Sequence, residues 1–206
     1  MIDLYTLGTP NGHKVSIMLE EVGLPYQVFP VDISADEQFQ PDYVDISPWS
    51  KIPAIVDHDP MGGGEPYSLF ESGAILMYLA EKTGKLWPQA VRDRYDVVKW
   101  LMLQMGGVGP LMGQLGHFEL YAKEDVPYGK RRYRGEVDRL LAVLDDRLED
   151  SPYLAGDSYS IADIASFPWV RGAALVGFDW EEFPEVKRWL DEIEARPAVQ
   201  KGLDVP

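Results

Sequence analysis

The chain contains no cysteine among its 206 residues. It therefore has no disulfide framework, no thiolate metal cage and no cysteine nucleophile of its own. Histidine is scarce: His13, His58 and His117 are far apart and form no HxxxH pair, which argues against a histidine-built metal centre. Basic residues are also under-represented, 19 Lys and Arg against 34 Asp and Glu, for a formal charge of −15. Such a surface repels phosphate backbones, so neither nucleic acid nor an anionic membrane is an expected partner. The longest uninterrupted apolar run, Ala74–Ala80, has 7 residues, against the roughly 20 that a membrane-spanning helix needs. The opening residues place Asp3 where a secretory signal would carry basic side chains, and the expected location is the cytoplasm. No GxxxxGK[ST] phosphate loop is present, and Gly156-Asp157-Ser158-Tyr159-Ser160 lacks the closing glycine of a nucleophile elbow.

What the chain does have is two kinds of periodicity. Ile2–Thr6 alternates as a strand, Thr9-Pro10-Asn11-Gly12 reads as a turn, and Val15, Met18, Leu19 and Val22 form one helical stripe closed by Gly23. Tyr26–Val31 reads as a second strand, followed by an irregular, partly helical piece to Ser50. Ala54–Val56 and Ser68–Phe70 are short strands joined by a loop with Gly62-Gly63-Gly64 at its tip. Ser72, Ile75, Leu76 and Leu79 mark another helix, ending at Gly84. The order βαβ then ββα predicts a small α/β domain over residues 1–83. Gly84–Val91 breaks the periodicity and is the expected linker. Residues 92–206 read as all-helical, with stripes at Val137, Leu140, Leu141, Leu144 and Leu148 and at Val186, Trp189, Leu190 and Ile193. Ser160-Ile161-Ala162-Asp163 has the spacing of a capping box, a folding signal for a buried helix.

Several residues have the chemistry of a site. Pro53, in Lys51-Ile52-Pro53-Ala54, stands at the mouth of a strand. It reads as a strand-entry proline; were its peptide bond cis, the Ile52 backbone would turn outward to pair with an extended peptide. Glu71-Ser72 lies where a strand becomes a helix: the helix N-terminus suits a carboxylate, and Glu71 suits an ammonium group. Thr9 and Asn11, the chain's single asparagine, serve either as turn and cap residues or as hydrogen-bond donors to an anion. Gln38 carries no meaning alone. In the helical part, Lys130, Arg131, Arg132 and Arg134 cluster near a helix start, where the dipole disfavours cations; they form a solvated basic face, or one arginine reaches a bound anion. Gly106, Gly107, Gly109, Gly113 and Gly116 interrupt a helical stretch, which fits either close packing or a bend beside a ligand.

Taken together, Lys51-Ile52-Pro53-Ala54-Ile55-Val56-Asp57, Phe70-Glu71-Ser72-Gly73-Ala74-Ile75 and Ser160-Ile161-Ala162-Asp163 resemble the glutathione transferases in order and spacing, over essentially the whole chain. More narrowly, Thr9-Pro10-Asn11-Gly12-His13-Lys14-Val15 is similar to the nu-class, Ure2-like bacterial members, which behave as glutathione-dependent disulfide-bond reductases. The resemblance implies a thioredoxin-like first domain, an all-α second domain and a homodimer. By position it makes the Ile52 backbone, next to Pro53, the partner of glutathione's cysteinyl unit. Glu71 and Ser72 would hold the γ-glutamyl end, and Gln38 and Lys51 would lie toward the glycyl end or the peptide backbone. Thr9 and Asn11 would sit at the sulfur, with Arg132 reaching in from the helical domain. The loop after the first strand lacks the tyrosine, serine or cysteine of other family branches, which favours the reductase. Two alternatives share this site: glutathione transfer to an electrophilic carbon, with Leu111, Met112, Tyr128 and Trp169 as candidate pocket residues, and a non-catalytic binding or regulatory module.

Overall fold

The computed structural model describes all 206 residues, which form two compact units: Met1–Trp87 together with Ala195–Pro206, and Pro88–Glu194. The expectation of one helical domain over 92–206 is thus corrected at its end, because the last helix belongs with the first unit.

In the first unit, strand β1 (Ile2–Thr6), helix α1 (Pro10–Val22) and strand β2 (Tyr26–Pro30) make a βαβ crossover. Two 3-10 turns and the short helix α2 (Pro41–Val44) follow, then β3 (Ala54–Asp57), β4 (Tyr67–Phe70) and helix α3 (Ser72–Thr83). The sheet order is β2-β1-β3-β4, with β1 parallel to β2 and antiparallel to β3, which is antiparallel to β4. This is the thioredoxin-like arrangement expected. The predicted strand end at Val31 moves back by one residue, although Val31 N–H still bonds to the Thr6 carbonyl at 2.9 Å. Gly23 and Gly84 cap α1 and α3 in left-handed conformations.

The predicted stripe on α1 is buried, but so are Gly12, Lys14, Ser16 and Ile17. A lone amphipathic helix would leave those faces wet. They are covered because α1 also packs against α3 and against α9 (Pro197–Leu203), which returns to meet Ser16 and Ile17. A Cβ on Gly202 would lie 2.5 Å from the Ile17 Cα, so the two backbones touch where only glycine fits. Ser16 Oγ donates to the Gly202 carbonyl at 2.6 Å, and Arg196 grips both carboxylate oxygens of Glu21 at 2.7 and 3.0 Å.

The second unit contains α4 (Val91–Leu103), α5 (Gly109–Gly116), α6 (Pro127–Glu149), α7 (Ile161–Gly172) and α8 (Pro184–Glu194). Both helical stripes predicted here are buried. Ser160 and Asp163 form the expected capping box. The glycine-rich stretch is bounded by two π-helical turns, Gln104–Val108 and His117–Tyr121. Within it, a Cβ on Gly109 would come within 2.8 Å of Gln104 Nε2 and 3.4 Å of Trp169 Nε1, and one on Gly113 within 3.3 Å of the Trp169 ring, so close packing accounts for these two glycines. Trp169 is therefore a packing residue. Met112 is core, Leu111 is half-buried and Tyr128 stands exposed. No helix is long and apolar enough to cross a membrane.

Candidate functional site

The strand register gathers the predicted residues of the first unit. Tyr5, near the end of β1, pairs with Ala54, the first residue of β3, and Ala54 pairs with Phe70, the last of β4. Thr6 also pairs with Pro30 at the end of β2. Everything that leaves β1, β2 and β4, or enters β3, therefore emerges at one end of the sheet. Those segments carry Thr9 and Asn11, Gln38, Lys51-Ile52-Pro53, and Glu71-Ser72.

Thr9 is the N-cap of α1: its Oγ1 accepts the Gly12 N–H at 3.2 Å. That contact uses a lone pair, so the hydroxyl proton remains available to donate and the two readings of Thr9 are compatible. Asn11, half-buried, lies in the first turn of the same helix. Gly12 allows this turn to close against the end of β1. A Cβ there would lie 2.2 Å from the Leu7 carbonyl oxygen and 2.5 Å from Thr6 Oγ1.

The segment before β3 is held from within. Tyr43 Oη and the buried Ser47 Oγ both donate to the Lys51 carbonyl, at 2.7 and 2.9 Å. The Lys51 side chain is exposed, the Ile52–Pro53 peptide is cis, and Pro53 is buried. Ile52 precedes the strand ladder, which begins at Ala54, and its backbone takes no part in the ladder's hydrogen bonds. Gln38 lies in a 3-10 turn with its Oε1 buried and unpartnered, a state that costs free energy until a donor reaches it.

Glu71 is the N-cap of α3, with φ of +70°, and its side chain points no hydrogen bond at its own helix. A non-glycine residue in this backbone region is uncommon and strained, a cost that recurs at ligand-holding positions. Ser72 begins α3 and is buried. Its Oγ accepts from Lys14 Nζ at 3.3 Å. Lys14, on α1, is 1% exposed. Burial pulls its ammonium down to about 7, partly opposed by the negative charge of Glu71. Sequence reasoning passed over Lys14 except as part of a motif. The signal was a charged residue inside a helix that α3 and α9 cover only in the folded unit.

In the second unit, the basic cluster divides by use. Arg134 donates to the Val176 and Gly177 carbonyls and stacks 4.2 Å over the Phe178 ring, a structural role. Lys130 pairs with Asp125 at 2.9 Å and Glu119 at 3.7 Å. Arg131 and Arg132 are exposed; Arg132 exerts a charge interaction on Glu136 one turn away.

Residues 2–81 match the family model described as "Glutathione S-transferase, N-terminal domain", and residues 117–197 the one described as "Glutathione S-transferase, C-terminal domain". Disulfide-bond oxidoreductase YfcG of Escherichia coli (strain K12) is 51% identical over 98% of this chain and 94% of its own length. Disulfide-bond oxidoreductase YghU of the same organism is 42% identical over 98% of this chain and 73% of its own. Among solved structures, a Burkholderia graminis glutathione transferase with two glutathione molecules bound per subunit is 50% identical. It superposes with a TM-score of 0.94 over 100% of this chain and 88% of that one. A Pseudomonas putida glutathione transferase with one glutathione disulfide bound per subunit is 48% identical, with a TM-score of 0.93 over 100% of this chain and 91% of that one.

Proposed function

This chain belongs to the glutathione S-transferase family, and from that premise we propose that it is a glutathione-dependent disulfide-bond reductase. The observation that carries this reading is the nearly end-to-end likeness to two relatives named disulfide-bond oxidoreductases. Because the chain has no cysteine, all thiol chemistry comes from the substrates.

The residues at the end of the sheet fit a glutathione molecule group by group. The N-terminus of α3 with Ser72 offers donors for the γ-glutamyl carboxylate, and Glu71 offers a carboxylate for its ammonium. Ile52, outside the ladder, offers backbone groups for the cysteinyl unit, with Pro53 fixing the approach into β3. Gln38, whose buried oxygen lacks a donor, and the exposed Lys51 suit the peptide backbone and the glycyl carboxylate.

Thr9 and Asn11 are the residues assigned to the sulfur. A thiol of pKa about 8.5 is mostly protonated at pH 7, and each unit of depression requires about 1.4 kcal/mol of preferential thiolate stabilisation. The Thr9 hydroxyl and the Asn11 amide supply donors to a thiolate. The exchange consumes two glutathiones for each substrate disulfide: two thiols leave, glutathione disulfide forms, and the two electrons of the reduction come from the two glutathione sulfurs. A homodimer in the cytoplasm is the setting proposed for it. Sedimentation of the pure protein at about twice the mass of one chain supports the dimer.

The test is glutathione-dependent reduction of a small model disulfide coupled to NADPH oxidation through glutathione reductase, with a chloro-dinitro aromatic as a conjugation substrate in parallel. Disulfide turnover should dominate, and Thr9→Ala and Asn11→Ala should each lower it by roughly 10-fold or more. Dominant conjugation would move the function to transfer onto carbon. Glutathione binding without either turnover would leave a binding module.

A further inference from the structure

Tyr5 alternates along β1 with Leu4 and Thr6, which are buried, so its ring stands on the opposite face of the sheet. The register of β1 with β2 sets Phe29 directly beside it, and the two rings stack with centroids 5.0 Å apart and planes 17° from parallel. Tyr43, from α2, adds a third ring, tilted 55° to Tyr5 at 6.2 Å. The helix α2 has only four residues. Beside it this face of the sheet stays open as a cavity of about 350 Å³, walled by the three rings with Val31 and Ile46. Tyr5, Phe29 and Ile46 are half-buried, an aromatic surface reachable from solvent rather than sealed in the core.

The cavity has a sign. Glu37 and Asp42 bring carboxylates to it, both on exposed residues, and no lysine or arginine lines it. Each carboxylate has a local duty: Glu37 accepts the Asp32 N–H at 2.7 Å, and Asp42 lies in the first turn of α2, where the helix dipole favours an acid. Neither duty neutralises the charge, because a backbone N–H is a dipole and not an ion. The faces of the aromatic rings are also negative, and the whole chain carries −15. An anion meets repulsion from each of these sources, and a neutral molecule gains from burial alone. A cation gains from all of them.

We infer that this cavity is a binding site for a small organic ammonium compound carrying one aromatic ring. The ring packs against Tyr5, Phe29 and Tyr43, and the ammonium is directed to Glu37 and Asp42. The volume lies at the small end of ligand cavities, which run from about 300 to 1,000 Å³. It suits a one-ring amine better than a peptide, and the carboxylates repel the phosphates of a nucleotide. None of the residues assigned to glutathione lines the cavity, so the inference stands apart from that reading.

The test is titration of the isotope-labelled full chain with phenethylammonium at pH 7, followed by the NMR shifts of its backbone amides. Saturable shifts are expected at Tyr5, Phe29, Val31 and Tyr43, with a Kd of roughly 1 mM for a ligand of this size. 2-Phenylethanol has the same shape without the charge and should bind roughly 10-fold more weakly. Butylammonium, which keeps the charge and lacks the ring, should lose affinity by roughly as much. Phenylacetate should not bind. Glu37→Gln combined with Asp42→Asn should raise the Kd for phenethylammonium roughly 5-fold and leave the melting temperature near that of wild type. Equal affinity for phenethylammonium and 2-phenylethanol, or an unchanged Kd in the folded double variant, would overturn the proposal. Unsaturating shifts spread over the acidic surface, alike for butylammonium and phenethylammonium, would overturn it too, leaving only a general attraction of cations. The ligand series needs the wild-type chain alone, so it decides the matter even if the double variant folds poorly.

Discussion

The indole Nε1–H of Trp189 donates to Oδ1 of Asp163 at 3.0 Å, and the same oxygen accepts the Leu154 N–H at 3.0 Å. Oδ2 accepts the N–H and the hydroxyl of Ser160, each at 3.0 Å. One fully buried carboxylate thus ties the cap of α7 to the preceding loop and to α8. Asp163→Ala leaves these donors without an acceptor and should destabilise the chain by about 3–5 kcal/mol. Urea unfolding checks it: a midpoint within 0.3 M of wild type would mean the network carries little.

Asp57 should govern stability in acid. Burial pushes its carboxyl up, but hydrogen bonds from Lys82 and Tyr78 and the Asp59 N–H together outweigh burial and hold it below the ordinary value of 3.8. Tyr78 Oη lies 2.7 Å and Lys82 Nζ 2.8 Å from Oδ2. A carboxylate with a depressed folded-state pKa contributes stability that is present above its unfolded value and lost as pH falls through the folded one. Between pH 6 and pH 3 the wild type should lose more stability than Asp57→Asn, measured by denaturant midpoints at both pH values.

Gly12→Ala should cost more than its small size suggests. The added methyl would meet the Leu7 carbonyl at 2.2 Å, and backbone cannot turn aside as a side-chain tip can. Destabilisation of about 1–3 kcal/mol is expected from overpacking. Disulfide turnover should fall further than that, because Thr9 and Asn11 ride on the displaced turn. Full activity with a lowered melting temperature would detach this turn from the chemistry.

The ligand-free chain should gain stability as the solution becomes alkaline. Lys14 is held at about 7 when folded, against 10.5 when free. Between those values the unfolded chain binds more protons, so stability rises with pH. Below pH 7 the buried charge exerts its whole cost. Lys14→Met should therefore exceed wild type most at pH 7 and below, and the gap should close toward pH 10. Parallel stability curves would show that Lys14 is not titrating as placed.

The secondary elements were largely legible because each carries its own periodicity and punctuation. The stripe Val137, Leu140, Leu141, Leu144, Leu148 is buried as its spacing requires, and Gly23 and Gly84 end their helices in the left-handed conformation that glycine adopts without steric cost. The candidate site was legible as a set of short motifs, each weak alone. The glycines of the α5 region could not be interpreted from their spacing, since a Cβ on Gly113 would meet the ring of Trp169, more than fifty residues away, and one on Gly109 the side-chain amide of Gln104.

By itself the sequence determined the chemistry available: no thiol of the protein's own, an acidic surface, two kinds of domain, and donors at helix starts. Those are properties of residue types and local spacing, which exist before the chain folds. Tertiary structure alone decided which of them meet. The strand register brings the ends of β1 and β4 to the start of β3, so that Thr9, Ile52 and Glu71 emerge at one end of the sheet. The return of Ala195–Pro206 to α1 closes the wet side of that helix, and the burial of Lys14 against Ser72 exists only in the folded unit. Burial is a sum over distant segments, and no window along the chain contains it.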